Sequence, residues 1–175
     1  MYKKYFKRFF DIILSLIFII ILFPLMIILS IITKISFKGK VIYSQKRVGL
    51  NNKPYDIYKF KTMKDNTKET TKVSRFIRKI GADEILQFFN VLKGDMSIVG
   101  PRPFIYKEEL PIMYDDKRHS VRPGITGLSQ VSGRMTLSHR RKLEIDNEYI
   151  DNISLILDVK IILRTIIYIL KTIFR

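Results

Sequence analysis

Two adjacent carboxylates, Asp83 and Glu84, are the residues of this 175-residue chain best suited to chemistry on phosphates. Neighbouring carboxylates can hold Mg²⁺ between a protein and the phosphates of a substrate. A carboxylate can also attack phosphorus and form a covalent aspartyl phosphate. Acids in a first helical turn are, however, ordinary partners of the helix dipole, so the pair needs support from its surroundings.

Basic side chains that could bind phosphate flank this pair in the sequence. Arg75 and Arg78 precede it, and Arg102 follows it between Pro101 and Pro103. The planar guanidinium group matches the geometry of a phosphate. A single Pro-Arg-Pro segment usually indicates no more than a stiff loop, so the arginines support phosphate chemistry only together with the acids.

Several other kinds of site are excluded by composition. The chain has no cysteine, which excludes a disulfide scaffold, a thiolate zinc site and a cysteine nucleophile. Its two histidines, His119 and His139, leave little room for a histidine-rich metal site. The glycine-rich segment 123–133 lacks the Gly-Lys-Ser/Thr of a P-loop, and no Gly-x-Gly-x-x-Gly occurs.

The charge of the chain is strongly positive and unevenly spread. The formal net charge is +16, and residues 1–82 carry 18 basic and 4 acidic side chains. Such a field indicates an anionic partner, which is a nucleic acid, an acidic lipid surface or a phosphorylated substrate. With 47% hydrophobic residues, the chain is too apolar to be disordered.

An apolar run of 21 residues without charge extends over positions 12–32. It is long enough to cross the hydrocarbon core of a bilayer. Both of its flanks are basic, which favours the cytoplasmic side for both ends, and Pro24 lies near its middle. A re-entrant segment that breaks at Pro24 accounts for both features, and the composition does not favour it over a spanning helix. A spanning helix with a tolerated proline remains the alternative.

The rest of the chain predicts an α+β fold that is mostly helical. Residues 41–45 and 55–60 predict a β-hairpin across the turn at 49–54. Four further elements are expected: a helix at 75–80 capped by Ser74, a helix at 82–93 ended by Gly94, an irregular loop at 97–103, and a helix at 139–151 capped by Ser138.

The C-terminal segment from residue 155 is amphipathic. Its basic and tyrosine side chains share one side of a helix: Lys160, Arg164, Tyr168, Lys171 and Arg175. This pattern is typical of a helix that lies in the membrane interface. A core helix with one solvated face gives the same pattern, and the sequence leaves both interpretations open.

Nucleic-acid binding is the less favoured interpretation of the positive charge. Aromatic residues are interleaved with the basic ones, as in single-strand binders: Tyr43, Tyr55, Tyr58 and Phe60. Much of the charge nevertheless flanks the apolar run, where anionic lipid headgroups attract it. We therefore expect anionic membrane lipids, and no nucleic acid, as partners.

Nine segments, in this order, resemble the bacterial sugar transferase family of monotopic phosphoglycosyl transferases. They are KRFFD (7–11), YSQKRVG (43–49), YKFKTM (58–63), RFIRK (75–79), DE (83–84), NVLKGDMS (90–97), VGPRP (99–103), RPGITG (122–127) and QVSGR (130–134). The resemblance covers nearly the whole chain. It is closest to the minimal form of the family, which lacks the additional N-terminal membrane domain of larger relatives.

The resemblance implies an enzyme that transfers a phospho-sugar from a UDP-sugar to polyprenyl (undecaprenyl) phosphate and releases UMP. In this family the reaction is the first membrane step of glycan or glycoconjugate assembly. It takes place on the cytoplasmic face of the bacterial inner membrane and uses Mg²⁺. The resemblance makes Asp83 the nucleophile of a covalent aspartyl intermediate. Glu84 then assists in catalysis, and both acids are candidate metal ligands.

The resemblance also assigns the other site residues. Lys59, Arg78 and Arg102 correspond to positions that bind substrate. Four residues correspond to a re-entrant membrane anchor: Lys7, Arg8, Asp11 and Pro24. The implied domains are a re-entrant membrane helix at 1–35 and a cytoplasmic catalytic domain at 36–175 with an interfacial C-terminal helix.

The sequence departs from the family at a few places and leaves several questions open. Phe23 stands where a serine often precedes the membrane proline, and the loop at 64–73 is shorter than in many relatives. The identity of the sugar, the pathway and the oligomeric state, a homodimer included, are not specified. Two alternatives remain: a related membrane phosphotransferase with another nucleotide donor, and a non-catalytic basic membrane adaptor that does not need Asp83.

Overall fold

The computed structural model describes residues 2–64, 67, 69–106, 117–133 and 136–174. Within them lie six α-helices: α1 (Lys7–Phe37), α2 (Lys72–Ile80), α3 (Gln87–Lys93), α4 (Leu128–Ser132), α5 (His139–Asp151) and α6 (Leu155–Ile173). The same residues contain four strands: β1 (Ile42–Val48), β2 (Pro54–Phe60), β3 (Ser97–Val99) and β4 (Gly124–Thr126). The prediction of a mostly helical α+β chain is confirmed in this coarse form.

Helix α1 is continuous over 31 residues and includes Pro24 in its interior. Among the described residues it is the one helix long and apolar enough to cross a membrane, by length and composition. Large apolar side chains point away from the protein, such as Ile20 at 73% exposure. The predicted break into two helices at Pro24 is not confirmed, and the re-entrant course stays a prediction.

One face of α1 lies along the remainder of the protein. Five of its residues are buried there: Asp11, Ser15, Met26, Leu29 and Thr33. A helix rises 1.5 Å per residue, so the contact from Asp11 to Thr33 extends for about 33 Å. Both ends of α1 therefore contact the same folded unit.

The predicted hairpin is confirmed and is slightly longer than expected. Strands β1 and β2 pair antiparallel, from Ile42 opposite Phe60 to Val48 opposite Pro54. Asn90 of α3 fixes the hairpin to the core, because its side-chain amide donates to the carbonyl of Asp56 at 2.7 Å and its Oδ1 accepts from the Tyr58 backbone at 3.0 Å.

The helix before the carboxylate pair begins earlier than predicted. Its N-cap is Thr71, which makes a reciprocal capping box with Ser74 at the third helical position. The predicted cap at Ser74 is therefore wrong, because the Thr71 hydroxyl satisfies the free N–H groups one turn earlier. The helix ends at Gly81 in the left-handed conformation, with φ of +77°.

The helix predicted at 82–93 is divided into two pieces. Residues Ala82–Glu84 form a 3₁₀ turn, and α3 begins only at Gln87. The apolar face of α3 is turned toward α1, where Phe88 stacks on Phe18 with ring centroids 5.1 Å apart. The polar residues Gln87 and Asn90 point into the core instead, at 2% and 0% exposure.

The predicted irregular loop at 97–103 begins as a buried strand, so that prediction is wrong in its first part. Strand β3 pairs in parallel with β4, Ser97 opposite Gly124 and Val99 opposite Thr126. The two chain segments approach so closely that a Cβ atom at Gly124 would overlap the backbone of Gly100. Tight backbone packing here fixes the loop that carries Arg102.

Helices α5 and α6 complete the fold as predicted. The Ser138 hydroxyl caps α5 by accepting from the Arg141 backbone, and Arg140 pairs with Glu144 at 3.3 Å. Helix α6 buries Asp158 and Ile161, and it exposes apolar residues such as Ile156 at 69%. Arg175 of the predicted basic stripe lies outside the described residues, and a place in the membrane interface stays a prediction for α6.

Candidate functional site

Asp83 and Glu84 lie in the 3₁₀ turn between α2 and α3, at the junction of three segments. Gly81, in the left-handed conformation, ends α2 just before the acids, and Glu84 contacts both β2 and the loop after β3. Lys59 Nζ of β2 lies 2.6 Å from Glu84 Oε1, and Arg102 Nη2 lies 2.9 Å from the same oxygen. The structure thus brings together three residues that the sequence assigned to one site.

Glu84 is held as an anion by these two cations. Burial raises the pKa of its carboxyl, but the charges and hydrogen bonds of Arg102 and Lys59 outweigh this effect and lower the pKa to about 2. Glu84 also raises the pKa of Arg102 in return. Glu84 is therefore ionised and fixed in position at any physiological pH.

Asp83 has a different environment from its neighbour. Burial and the charge of Glu84 raise the pKa of its carboxyl, and Lys59 and Arg78 offset only part of that rise. Among the described residues, no side chain donates a hydrogen bond to Asp83, which is 9% exposed. Adjacent carboxylates with opposite pKa shifts indicate different roles. Asp83 is therefore the carboxylate of the pair that is not held by a cationic side chain through a hydrogen bond among the described residues.

The two predicted substrate arginines are placed differently. Arg78 is exposed on α2, and its positive charge lies close enough to Asp83 to lower the pKa of that carboxyl.

Arg102 is fixed through its backbone carbonyl, which accepts a hydrogen bond from Arg118. Arg118 itself stacks on Phe104 at 3.9 Å and pairs with the buried Asp146 at 3.1 Å. Sequence reasoning missed this support, because it joins residues far apart in the chain.

The carboxylate pair fits a magnesium ion completed by substrate. Among the described residues, no group of three or more His, Cys, Asp or Glu side chains could hold a metal alone. Mg²⁺ usually takes one or two protein carboxylates plus substrate phosphates, and Asp83 and Glu84 supply that number. Since Glu84 Oε1 already accepts from Lys59 and Arg102, its other oxygen and those of Asp83 are the available ligands.

An apolar cavity of about 340 Å³ opens beside the carboxylate pair. Its walls come from α1, α3 and α6, with Phe18, Phe88 and Ile166 among them. Glu84 and Arg102 form part of its lining as well. The sequence did not predict this cavity, which offers an apolar chain a place next to charged groups that suit a phosphate.

The predicted membrane-anchoring residues make contacts within the protein. Lys7 Nζ pairs with the buried Asp158 at 2.7 Å. Arg8 donates to the carbonyls of Val91 and Leu92, at the C-terminal end of α3, at 2.6 and 3.1 Å. Asp11, buried at 5% exposure, accepts from the Ile98 backbone at 3.0 Å. These contacts fasten the start of α1 to the protein, whereas an anchoring role toward lipid stays a prediction.

Comparison with known proteins places these features in a family context. The sequence profile described as bacterial sugar transferase matches residues 2–172. The chain is 40% identical to the uncharacterized sugar transferase EpsL of Bacillus subtilis, over 91% of this chain and 85% of that protein.

Two larger relatives carry names that state an activity. One is the UDP-N-acetylgalactosamine-undecaprenyl-phosphate N-acetylgalactosaminephosphotransferase of Aeromonas hydrophila, 40% identical over 91% of this chain. The other is the UDP-glucose:undecaprenyl-phosphate glucose-1-phosphate transferase of Klebsiella pneumoniae, 38% identical over 92% of this chain. The alignments cover 42% and 39% of these proteins, so the chain spans less than half of their length.

Proposed function

This chain belongs to the bacterial sugar transferase family, and from that premise we propose that it transfers a sugar phosphate from a UDP-sugar to polyprenyl phosphate. The observation that carries the proposal is the paired site at Asp83 and Glu84. It combines a buried carboxylate to which no described side chain donates a hydrogen bond, a second carboxylate fixed by Lys59 and Arg102, and an adjoining apolar cavity. The names of the relatives support the same substrate classes.

The first half of the proposed reaction uses Asp83 as nucleophile. A carboxylate oxygen of Asp83 attacks the β-phosphorus of the UDP-sugar, the bond from that phosphorus to the bridging oxygen breaks, and UMP leaves with the electron pair. Arg78 and Arg102 bind the phosphate oxygens as charge moves onto the leaving group. A bound Mg²⁺, held by the acids and the diphosphate, would neutralise part of this charge.

The second half transfers the phospho-sugar to the lipid. An oxygen of polyprenyl phosphate attacks the phosphorus of the aspartyl intermediate, and the Asp83 carboxylate is released unchanged. The cavity between α1 and α6 can receive the first part of the apolar chain, while Glu84 and Arg102 at its lining lie near the lipid phosphate. The two substrates react one after the other with the same nucleophile through a covalent intermediate, which gives ping-pong kinetics.

A panel of nucleotide sugars tests this activity directly. We expect the purified protein in nanodiscs, with Mg²⁺ and undecaprenyl phosphate, to release UMP from at least one UDP-sugar and to form the lipid-linked product. GDP- and CDP-sugars serve as the comparison, because UDP-specific release separates this proposal from another nucleotide donor. No release of any nucleotide would favour the non-catalytic adaptor.

We further propose that α1, continuous in the structure, bends at Pro24 within the membrane so that both of its ends stay on one side, and that the enzyme acts on the cytoplasmic face of the bacterial inner membrane. The contact along α1 supports this proposal, since Asp11 near its start and Thr33 near its end are both buried against the same folded unit. The basic flanks favour the same side for both ends. Exposed apolar residues on α6 suit a helix in the interface.

Cysteine labelling tests the course of α1, because the native chain contains no cysteine. Single variants Lys3→Cys and Lys38→Cys replace exposed residues on either side of the apolar run. We expect both to react with a membrane-impermeant maleimide in inside-out vesicles and neither to react in intact spheroplasts. The exposed, lipid-facing Ile20→Cys should react only after detergent solubilisation. Labelling of Lys3→Cys in intact spheroplasts would instead establish a spanning helix.

A further inference from the structure

A second, much smaller cavity lies against the Glu84–Arg102 pair, apart from the larger apolar one. Its volume is about 10 Å³, and its lining includes Arg47, Lys59 and Gln87 in addition to that pair. A space of this size accommodates about one water molecule, and therefore one oxygen atom of a ligand. Glu84 lines this small cavity and also belongs to the turn that carries the carboxylate pair, so the cavity adjoins that turn.

Two residues that line this cavity each have a buried hydrogen-bond donor without an acceptor. Neither Gln87 Nε2 nor Arg47 Nε finds one among the described residues, and Gln87 is only 2% exposed. The other guanidinium nitrogens of Arg47 are engaged, Nη1 with the Pro103 carbonyl at 3.3 Å and Nη2 with Gln45 Oε1 at 2.7 Å. Buried polar groups are nearly always satisfied, so two unsatisfied donors on residues that line one cavity indicate an acceptor supplied by a ligand.

The charges around the cavity favour an anion as that acceptor. Of the residues that the structure describes, three cations line it, Arg47, Lys59 and Arg102, and one acid, Glu84. Burial is the main cause that lowers the pKa of Arg47, and the positive charge of Arg102 adds to it, so two like charges lie close together beside the cavity. A water molecule would satisfy the donors but not the charge, and an anionic oxygen satisfies both.

We propose that Gln87 and Arg47 form an oxyanion subsite that binds one non-bridging oxygen of a substrate phosphate at the carboxylate pair. This inference rests on the proposed function, because it takes the ligand to be a phosphate that reacts at Asp83. The oxygen belongs either to the sugar-bearing phosphate of the donor or to the phosphate of the lipid acceptor. In either case Gln87 is a substrate-binding residue. Its buried amide donates a hydrogen bond to the ligand and not to another group of the protein core.

Two near-isosteric variants test Gln87. Gln87→Met keeps the length and removes the donor, and Gln87→Glu adds a negative charge. For Gln87→Met we expect kcat/KM to fall about tenfold to a hundredfold, the value of one hydrogen bond to a charged group, and we expect a larger fall for Gln87→Glu. The Tm of Gln87→Met should not fall, because the variant removes a donor that finds no acceptor in the described part of the chain.

Separate kinetic constants identify the phosphate. In a ping-pong reaction, a change confined to kcat/KM for the UDP-sugar assigns the oxygen to the donor. A change confined to kcat/KM for polyprenyl phosphate assigns it to the acceptor. The surface variant Asn152→Asp, which adds one negative charge at the exposed end of α5, should match the native protein in both constants.

A binding measurement separates this inference from the proposed function. We expect pyrophosphate to raise the Tm of the native protein and of Asn152→Asp, and to raise the Tm of Gln87→Met much less. If the native protein releases no UMP but this difference is found, the transferase proposal fails and the subsite stands. The subsite is disproved if Gln87→Met equals the native protein in pyrophosphate response, or if its activity falls only in step with its Tm.

Discussion

Replacement of Asp83 by asparagine will abolish the release of UMP from a UDP-sugar and leave the protein folded and membrane-bound. The amide has nearly the same shape as the carboxylate but is not a nucleophile toward phosphorus. Loss of a nucleophile typically costs about 10⁴-fold or more in kcat. The fold should be unaffected, because no side chain among the described residues donates a hydrogen bond to Asp83, and burial already disfavours its charge.

Mass spectrometry of the intact protein supplies the second measurement for Asp83→Asn. With a UDP-sugar and no acceptor, the native enzyme should gain the mass of a phospho-sugar, and the variant should not. Asp151→Asn is the matched control, because it makes the same replacement at an exposed carboxylate of α5 and should retain normal turnover. Normal UMP release by Asp83→Asn would exclude Asp83 as the nucleophile.

Local features of the fold could be predicted from the sequence because their causes are local. The hairpin follows from β-rich runs around a turn, and Gly81 and Gly94 end helices with φ of +77° and +96°. The Ser138 cap depends on a hydrogen bond three residues away. The wrong N-cap predicted for α2 also has a local cause. Thr71 and Ser74 are both favourable N-cap residues, and only the observed backbone geometry shows that Thr71 is the cap.

The polar residues buried in the core could not be predicted in this way. Gln87 and Asn90 lie in α3, whose apolar side chains suggest that the apolar face points into the core. That apolar face packs instead against α1, and the polar residues point into the core. Asn90 is buried by its hydrogen bonds to β2, and Gln87 is buried where it lines the small cavity beside residues remote in sequence. The motif-based resemblance found Asp83 and Glu84, and it did not distinguish their environments.

The support of the site is long-range for the same reason. Arg118 fixes the loop that carries Arg102 by donating a hydrogen bond to the backbone carbonyl of Arg102, and Arg118 is itself paired with Asp146. The Lys59–Glu84 contact joins positions 25 residues apart, and only the family resemblance had assigned both residues to one site. Side chains of this kind carry no sequence pattern, because periodicity describes which face is apolar and not which polar group meets another across the fold.

Asp158 will be among the most sensitive positions for stability, because it joins the start of α1 to α5 and α6. Its Oδ2 accepts from Lys7 Nζ and from the Tyr2 hydroxyl, each at 2.7 Å, and its Oδ1 accepts from the Tyr149 hydroxyl at 2.8 Å. Burial, together with Asp158, raises the pKa of Tyr149, so this hydroxyl remains a donor. The carboxylate is 4% exposed.

Asp158→Leu should therefore lower the unfolding free energy by about 3–5 kcal/mol, because Lys7 is left as a buried charge without its partner. For a chain of this length the Tm should fall on the order of 10 °C, measured by thermal unfolding in nanodiscs. The double variant Lys7→Met, Asp158→Leu should recover part of that loss, since it removes both charges.

The exposed pair Lys117–Asp151 provides the contrast within the same chain. Its atoms are as close, 2.8 Å, but its side chains are 46% and 57% exposed. Asp151→Leu should change the unfolding free energy by no more than about 1 kcal/mol. Equal effects of the two leucine variants, or no recovery in the double variant, would contradict a buried charge pair at the start of α1. A large loss at Asp158 alone, with recovery, means that this pair holds α1 on the domain that carries the carboxylate site.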